Sequence, residues 1–298
     1  MAATATGGSA CAAARRARWI DLCVFLGTLG LVAGIELSDE VFHALNGQND
    51  WHRALANALQ LMRLENTLGI WVEPGMQTAI LRPTHFLGLT LGAPQFVPLF
   101  DAIYGLGHVG VTFCFALWIF RCRRPVFAFL RGVFVLATAL SVAVSEIVPL
   151  APPRLAIGLQ YQGRPFHFLD TVFEHGGVQV AFNEYSAMPS LHLVWALLVG
   201  VGMVWLARSL VARVLGGLYP LLILTAVIVT GNHYLLDGAG SLAVVCVATM
   251  LAVPLERWHA KDGTFAATLR RLRRARSGDG AARRDAPAGT GMTGYHAA

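Results

Sequence analysis

Polar and ionisable residues stand at three boundaries between long apolar segments of this sequence. Arg154 follows one apolar segment, Ser190 and His192 open the next, and His233 and Asp237 open the last. Such groups are costly at membrane depth, so their position beside apolar segments indicates a functional site.

The spacing of His233 and Asp237 fits nucleophilic chemistry. Side chains four residues apart meet on one face of a helix, so the carboxylate can bond one ring nitrogen of the histidine. The other ring nitrogen is then available as a nucleophile. His192 supplies a second imidazole that can protonate a leaving oxygen. Together these three residues predict phosphoryl transfer through a phosphohistidine.

Two further residues are suited to hold the phosphate. Arg154 can grip a phosphate with two parallel hydrogen bonds. Pro189 favours the first turn of a helix, which places Ser190 among backbone N–H groups that attract an anion. Arg164 is expected to add positive charge, and Asn232 to bond a substrate oxygen or to cap the following helix.

Four polar residues are weaker candidates for lining the cavity around the phosphate: Asp101, Tyr104, His108 and Glu146. The first three share a helical stripe at the outer end of a predicted membrane span. Two interpretations of His108 stay open, since it can line a headgroup cavity or pair with a buried neighbour. Glu146 is expected to hold Arg154 or Arg164.

The elements that must position these residues follow from the composition. The chain has 298 residues, of which 55% are hydrophobic and 13% charged, with a mean hydropathy of +0.56. A soluble domain carries about a quarter charged residues. These values exclude a disordered, fibrous or disulfide-stapled secreted protein and indicate an integral membrane protein.

Six segments are long and apolar enough to cross a membrane as helices. They are Trp19–Leu37, Ile103–Phe120, Pro125–Ser145, Met188–Ala207, Val214–Asn232 and Leu235–Leu255. The sequence therefore predicts an all-α, polytopic membrane protein with six transmembrane helices.

The basic residues indicate how these helices are oriented. Of the 23 Lys and Arg residues, seventeen fall on one side of the predicted spans and five on the other. Basic residues concentrate on the cytoplasmic side of a membrane, so both termini of this multi-pass cell-membrane protein are expected in the cytoplasm. The active site is then expected at the outer face. The positive net charge has this topological origin and does not indicate nucleic acid binding.

The predicted organisation is a cytoplasmic basic tail at 1–18, a membrane domain at 19–258 with its catalytic motifs at 151–237, and a disordered basic cytoplasmic tail at 259–298. Two segments are ambiguous. The periodicity of His52–Gln77 predicts an amphipathic helix on the outer surface. Leu55 and Leu59 lie on its apolar stripe, whereas Glu65 lies elsewhere. Thr84–Phe100 is apolar but interrupted by prolines, which predicts a re-entrant or interfacial segment leading into the next span.

As a set, these motifs resemble the type 2 phosphatidic acid phosphatase superfamily, whose members are six-span membrane phosphatases and phosphotransferases. The resemblance covers roughly residues 100–255 and rests on Arg154, on the Pro-Ser-Leu-His motif that ends at His192, and on His233 with its aspartate. It implies a phosphohistidine at His233, oriented by Asp237, with His192 as the acid. It also implies phosphate contacts at Ser190 and Arg154.

The chain departs from the usual signatures of that family, which are Lys-x6-Arg-Pro, Pro-Ser-Gly-His and Ser-Arg-x5-His-x3-Asp. Ile147 stands where the lysine would be, Leu191 replaces the glycine, and the apolar pair Ala226-Val227 replaces Ser-Arg. The altered second motif and the missing arginine look like the inositol phosphorylceramide synthase branch, and sphingomyelin synthases also lack that arginine. This inositolphosphotransferase-like pattern implies transfer of a phospho-headgroup from a phospholipid to a lipid alcohol. A phosphodiester carries one negative charge and needs less compensating positive charge than a monoester does.

Three alternatives stay open. A lipid phosphate phosphatase would use the same site with water as the acceptor. A transporter or lipid scramblase is less favoured, because no repeat relates the two halves of the chain and the polar groups lie at span ends. A catalytically inactive assembly partner is also less favoured, since His192, His233 and Asp237 are all present.

No cofactor or metal is expected. The sequence contains neither a CxxC pair nor an HExxH motif, and its five cysteines are interpreted as free thiols. The expected partners are a phospholipid or lipid-linked phosphate substrate and the membrane lipids, without nucleic acid.

Overall fold

The computed structural model describes residues 5–46, 51–86, 89–156, 159–161, 163–168 and 185–259. These residues form α1 Ala5–Asn46, α2 Trp51–Thr67, α3 Glu73–Leu81, α4 Ala93–Ala102, α5 His108–Cys122, α6 Arg124–Ile147, α7 Leu191–Leu206, α8 Leu210–Val229 and α9 Leu235–His259. Two short antiparallel hairpins pair β1 Thr84–Phe86 with β2 Leu89–Leu91, and β3 Leu159–Tyr161 with β4 Arg164–Phe166. A π-helical turn, Ile103–Gly107, joins α4 to α5, and a 3-10 turn, Pro153–Leu155, follows α6. The predicted all-α class is confirmed.

Five helical stretches among the described residues are long and apolar enough to cross a membrane. They are Trp19–Val41, Gln95–Cys122, Arg124–Ile147, Leu210–Val229 and Leu235–Pro254. The remaining predicted span is α7, an apolar helix of 16 residues that is shorter than the other five. The described part of the chain is thus a polytopic membrane protein with five full-length spans and one shorter apolar helix.

Helix α7 begins at Leu191, later than the predicted start of this span at Met188. Pro189 lies before the helix and not in its first turn, which corrects the prediction. Ser190 is the residue that caps the helix, and its side-chain oxygen accepts a hydrogen bond from the N–H of Leu193. Serine favours this position because its hydroxyl satisfies a backbone N–H that the helix leaves open.

Helices α7 and α8 pack closely because both present glycine at their contact. A side chain at Gly200 would place its Cβ 2.6 Å from the ring of Pro220 and 2.8 Å from the carbonyl oxygen of Gly216. A side chain at Gly216 would place its Cβ 2.4 Å from the Cβ of Met203. Small residues let the backbones of membrane helices approach in this way. The contact fixes α7, and the site residues at its start, against α8.

Apolar residues of this protein lie in two kinds of place, which are the core between helices and the exposed outer surface. Helices α6, α7 and α9 bury apolar residues against one another, among them Val133, Val194 and Ala248. Helix α1 packs on the outside of α6 and exposes large apolar residues, including Leu26 and Leu31. Such an exposed apolar surface suits contact with lipid chains rather than with water.

The segment predicted as one amphipathic surface helix consists of two helices, α2 and α3. They are separated by a turn at Gly69, whose φ of +69° is a left-handed conformation that glycine adopts readily. The buried stripe of α2 runs through Ala54, Ala58, Met62 and Glu65. The expectation that Glu65 lies away from the buried face is wrong, because its carboxylate bonds the start of α9.

The segment Thr84–Phe100 differs from the prediction from Gln95 onward, where it belongs to the second span, while an interfacial or re-entrant position of the part before Gln95 stays a prediction. Its described residues form the β1–β2 hairpin and then α4, which continues through the π-helical turn into α5. The second span therefore begins at Gln95 rather than at Ile103. Pro94 does not interrupt this helix, because it stands in the first turn of α4, where its missing N–H costs nothing.

The predicted terminal tails are only partly described. The predicted disordered tail at 259–298 lies outside the described residues, apart from His259 at the end of α9. The N-terminal basic segment at 1–18 is helical from Ala5 onward, as the beginning of α1.

Candidate active site

The three polar stretches meet at one end of the helix bundle. After α6, the backbone N–H of Leu150 donates to the carbonyl of Tyr185, which precedes α7, at 2.7 Å. The backbone N–H of Arg154 donates to the carbonyl of Gly231, which precedes α9, at 3.0 Å. Gly231 has a φ of +71°, a left-handed turn that leads the chain from α8 into α9. The structure therefore brings together the connections that follow α6 and precede α7 and α9.

His233 is held by two hydrogen-bond acceptors. Its Nδ1 lies 2.7 Å from the carbonyl oxygen of Ala187 and 3.2 Å from Oδ2 of Asp237. Because a carbonyl oxygen only accepts, Nδ1 must carry a proton, and Nε2 keeps the lone pair of the neutral ring. The residue is only 6% exposed, so its surroundings fix this orientation.

Asp237 orients the histidine and also caps its own helix. Its Oδ2 accepts a hydrogen bond from the backbone N–H of Tyr234 at 2.9 Å. The Tyr234 hydroxyl donates to the carbonyl oxygen of Ala151 at 3.0 Å, which ties the start of α9 to the segment after α6. Burial, with a further contribution from the charge of Asp237, raises the pKa of Tyr234 well above its usual value. The hydroxyl therefore remains a proton donor at neutral pH.

Arg154 is held against the loop that precedes His233. Its guanidinium donates to Oδ1 of Asn232, and Nδ2 of Asn232 in turn donates to Oγ1 of Thr230 at 2.9 Å. The expectation that Asn232 caps α9 is wrong, since Asp237 supplies that cap. Asn232 instead holds the Arg154 side chain against the residue that precedes His233, and its direct contact with a substrate oxygen stays a prediction.

His192 lies close to His233 but is held differently. Its ring stacks on the ring of Tyr104, with centroids 4.2 Å apart and planes 17° apart. Its centroid lies 5.0 Å from that of His108 and 6.4 Å from that of His233. One phosphoester group seated between His192 and His233 can contact both imidazoles at this separation.

Ser190 is fully buried at the start of α7. Its hydroxyl oxygen lies 3.4 Å from the backbone N–H of Leu193, and its carbonyl oxygen accepts from Oγ of Ser241 at 3.1 Å. These bonds join the start of α7 to α9. A phosphate contact at Ser190 stays a prediction.

Of the weaker candidates, Tyr104 and His108 both flank His192. His108 is 2% exposed, and its Nδ1 shares a hydrogen bond of 3.0 Å with the hydroxyl of Tyr219. His108 thus pairs with the half-buried Tyr219, and a place for His108 in the wall of the headgroup cavity stays a prediction. Its Nε2 has no hydrogen-bond partner within the described ranges, although the ring stands beside the site.

The other candidates are not shown to join the site. Arg164 is exposed on the β3–β4 hairpin, and no described contact joins it to His192 or His233. Asp101 is half-buried in α4, and Glu146 is half-buried in the last turn of α6. Their roles stay predictions.

Two buried glutamates at the start of α9 were not among the predicted site residues. Oε1 of Glu73 accepts from the backbone N–H of Leu235 at 2.6 Å, and Oε1 of Glu65 accepts from that of Leu236 at 2.8 Å. Burial, followed by the negative charge of Glu73, raises the pKa of Glu65 to about 8, and burial also raises the pKa of Glu73. The only sequence signal was the presence of two acidic residues within an otherwise amphipathic segment, and it carries no information about α9.

An apolar cavity of about 320 Å³ lies beside the site, between α1, α5 and α6. Its wall includes Thr112 of α5, Phe134 of α6 and Trp195 of α7. The Trp195 ring stacks on that of His108 with centroids 5.9 Å apart, and His108 contacts His192. An apolar space in the membrane region thus approaches the site on the His192 side.

Within the described ranges, no group of three or more His, Cys, Asp or Glu side chains is arranged to hold a metal ion. The cysteines whose side chains the structure describes, Cys23, Cys114, Cys122 and Cys246, are free thiols.

Comparison with known proteins gives one family match. The sequence profile of the PAP2 superfamily matches residues 59–251. Among solved structures, the crystal structure of Aquifex aeolicus LpxE aligns with 16% sequence identity and a TM-score of 0.42, covering 60% of this chain and 93% of that one. No curated protein matches the chain significantly.

Proposed function

The chain belongs to the PAP2 superfamily, and on that premise we propose that it transfers a phosphoryl group or a phospho-headgroup on a lipid phosphoester through a phosphohistidine at His233. Membership of the family makes the protein a membrane phosphatase or phosphotransferase. The nucleophile, the acid and the acceptor are the parts that the proposal adds.

The proposal is carried by the environment of His233. Nδ1 is bonded by Ala187 and Asp237, so the nucleophilic lone pair belongs to Nε2. The carboxylate of Asp237 also stabilises the positive charge that the ring acquires when Nε2 bonds to phosphorus. This arrangement has the nucleophile, base partner and orienting group that covalent catalysis requires.

In the first half-reaction, Nε2 of His233 attacks the phosphorus atom of the donor. The P–N bond forms while the P–O bond to the lipid alcohol breaks, and His192 gives its proton to the departing oxygen. Arg154, held beside the loop by Asn232, compensates the charge on the non-bridging oxygens.

In the second half-reaction, an acceptor hydroxyl displaces the histidine. His192, now neutral, takes the proton of the acceptor as its oxygen bonds to phosphorus and the P–N bond breaks. The acceptor is a lipid alcohol in the transferase reaction and water in the phosphatase reaction. The two reactions share every residue and differ only in what reaches the phosphohistidine.

The scarcity of positive charge favours a phosphodiester donor, as in the inositolphosphotransferase-like branch. Where the family signature has Ser-Arg, this chain has Ala226 and Val227, which are both fully buried in α8. Arg164, the other predicted cation, is exposed on its hairpin. A singly charged phosphodiester suits Arg154 better than a dianionic monoester does.

The apolar cavity supports a lipid as the leaving group. It borders Trp195 and approaches His192, the residue that protonates the leaving oxygen. A hydrocarbon chain on that oxygen can enter the cavity without exposing apolar surface to water. We place both termini in the cytoplasm and the site at the outer face, on the distribution of basic residues.

A product assay tests the proposal. Purified protein receives a phospholipid labelled in its phospho-headgroup, with and without a long-chain lipid alcohol. We expect label on the alcohol, release of the unlabelled lipid alcohol of the donor, and no turnover by the His233→Ala variant. Label released only as a water-soluble product would favour the phosphatase alternative. Absence of any turnover across phosphomonoester and phosphodiester lipids would overturn the proposed function.

A further inference from the structure

The first turn of α9 has three consecutive backbone N–H groups bonded by carboxylates. Tyr234 donates to Asp237 at 2.9 Å, Leu235 to Glu73 at 2.6 Å, and Leu236 to Glu65 at 2.8 Å. A helix N-terminus next to a phosphate site usually attracts the substrate anion itself. Here carboxyl groups of the protein occupy these donors, so they hold the start of the helix that follows the nucleophile and do not bind phosphate.

Glu65 and Glu73 come from different helices, α2 and α3, and are both fully buried. Their Oε1 atoms accept from two consecutive backbone amides, so the two carboxyl groups are neighbours. Oε2 of each glutamate is buried and has no hydrogen-bond partner among the described residues. Two neighbouring buried carboxylates repel each other, and a buried ionised oxygen without a donor is costly, so one of the two groups holds a proton. The two glutamates therefore share a proton and together carry one negative charge.

We propose that Glu65 and Glu73 act as a pair of positioning residues, which hold the first turn of α9 through one shared proton and thereby keep His233 and Asp237 in place. The inference rests on the proposed function of His233. Neither glutamate touches the substrate in this scheme. The pair acts through the backbone of Leu235 and Leu236.

The shared proton also limits the negative charge behind the nucleophile. The titratable groups that face the pair are Asp237 and Tyr234, with His233 on the far side of Asp237. Loss of the shared proton would add a second negative charge next to Asp237 and close to an anionic substrate. The raised pKa of Glu65, about 8, follows from burial and from the charge of Glu73. We therefore expect kcat/KM to fall as the pH rises through about 8.

The first test replaces Glu65 by a neutral side chain of the same shape. In Glu65→Gln the amide oxygen can accept from Leu236, as the protonated acid does. We expect a loss of roughly three- to tenfold at pH 7, with the fall in kcat/KM near pH 8 removed or displaced upward. A double Glu65→Leu, Glu73→Leu variant removes both caps, and displacement of the nucleophile should lower kcat about a hundredfold.

A second measurement tests the protonation of the glutamate pair through the pH dependence of stability, without turnover. A carboxyl group with a raised pKa in the folded state keeps a proton that the unfolded chain has released. The contribution of this pair to the free energy of unfolding therefore falls as the pH rises from 4.5, the ordinary pKa of glutamate, towards about 8. Thermal unfolding of the wild type should show this decline, and Glu65→Gln should show a smaller one.

The matched control is Gln77→Leu. Gln77 is a buried polar residue on α3, one turn beyond Glu73, and donates to the carbonyl of Val229 in α8 at 2.9 Å. We expect its loss to lower thermal stability while leaving the pH profile of turnover and the slope of stability against pH unchanged.

The outcomes separate the two proposals. An active wild-type enzyme whose Glu65→Gln variant keeps the same alkaline fall and the same stability slope would overturn the inference alone. Wild-type-like turnover by a folded double leucine variant would do the same. A wild type that turns over no phosphoester, but whose stability slope depends on Glu65, would overturn the proposed function and retain the proton-sharing pair.

Discussion

One histidine of the site lies just before α9 and the other in the first turn of α7, and the two are held by different means. His233, just before α9, has its Nδ1 bonded by two acceptors, and the backbone N–H groups of the next three residues are bonded by three carboxyl groups. His192, at α7, has its ring stacked on Tyr104 and in tilted contact with His108, with no hydrogen bond to its ring among the described residues.

This difference matches the two roles proposed for the histidines. A nucleophile needs one tautomer and one direction of attack, and hydrogen bonds fix both. An acid must release and regain a proton within each cycle, and stacking fixes the plane of a ring without occupying either nitrogen. We call the hydrogen-bonded segment His233–Asp237 the rigid turn and the start of α7, Ser190–His192, the stacked turn. The rigid turn therefore suits the covalent step, and the stacked turn suits proton transfer.

The largest effect is expected from removing the nucleophile. His233→Ala should abolish turnover, because no other group of the rigid turn can form the P–N bond. Incubation with labelled donor should then leave no acid-labile, base-stable label on the protein. Retention of label with wild-type stoichiometry in a folded His233→Ala variant would assign the nucleophile to another residue.

A slightly smaller loss is expected from Asp237→Asn. The amide keeps a hydrogen-bonding side chain but cannot stabilise a cationic ring, and it can favour the wrong tautomer of His233. The effect on kcat should approach the about 10⁴-fold known for such changes in catalytic triads. Steady-state kinetics on a variant of unchanged melting temperature provides the measurement, and a loss below tenfold would show that Ala187 alone orients the ring.

The stacked turn should be more tolerant. His192→Ala should slow breakdown of the donor by about a hundred- to ten-thousand-fold, as expected for loss of a general acid. The loss should shrink for an activated aryl phosphodiester, whose leaving group departs without a proton. Rescue by this substrate of the His233 variant, but not of the His192 variant, would mean that the two roles are reversed.

Arg154→Lys should have a smaller effect, about ten- to a hundredfold on kcat/KM, because lysine keeps the charge but loses the paired hydrogen bonds. Arg164→Lys is the matched control, since that side chain is exposed on the β3–β4 hairpin. It should change kcat/KM by less than about twofold. Equal tolerance at both positions would remove Arg154 from the site.

The last prediction concerns the side of the membrane that both turns face, and it is tested without measuring turnover. In a His167→Cys variant, a membrane-impermeant thiol reagent should label the exposed position 167 from outside intact cells, while the exposed Cys122 should stay unlabelled. Labelling of Cys122 alone would place both turns in the cytoplasm and contradict the predicted orientation.

The features that the sequence predicted well are local or strongly patterned. The contact between His233 and Asp237 was expected from their spacing of four residues, and it forms although His233 lies just before α9. The length and composition of the apolar segments predict membrane helices. The second span begins earlier than predicted, at Gln95, because Pro94 is tolerated in the first turn of α4.

The features that could not be predicted depend on distant contacts. Glu65 and Leu236 are 171 residues apart in sequence, and no periodicity relates them. Glu65 also contradicts the polar pattern of its helix, because a proton-sharing partner and a backbone donor make its burial tolerable. Asn232 was expected at the start of α9 by its position alone, whereas its actual partner, Arg154, comes from a separate segment 78 residues earlier.

The same separation has a consequence for how the protein is made. The ribosome delivers Glu65 and Glu73 long before the amides of Leu235 and Leu236, which they bond across 171 and 162 residues. Contacts of such long range form late, after the intervening spans have been inserted and packed. Until α9 has been synthesised, neither glutamate can bond the amides of Leu235 and Leu236. His233 and these two amides therefore join the chain together, late in synthesis.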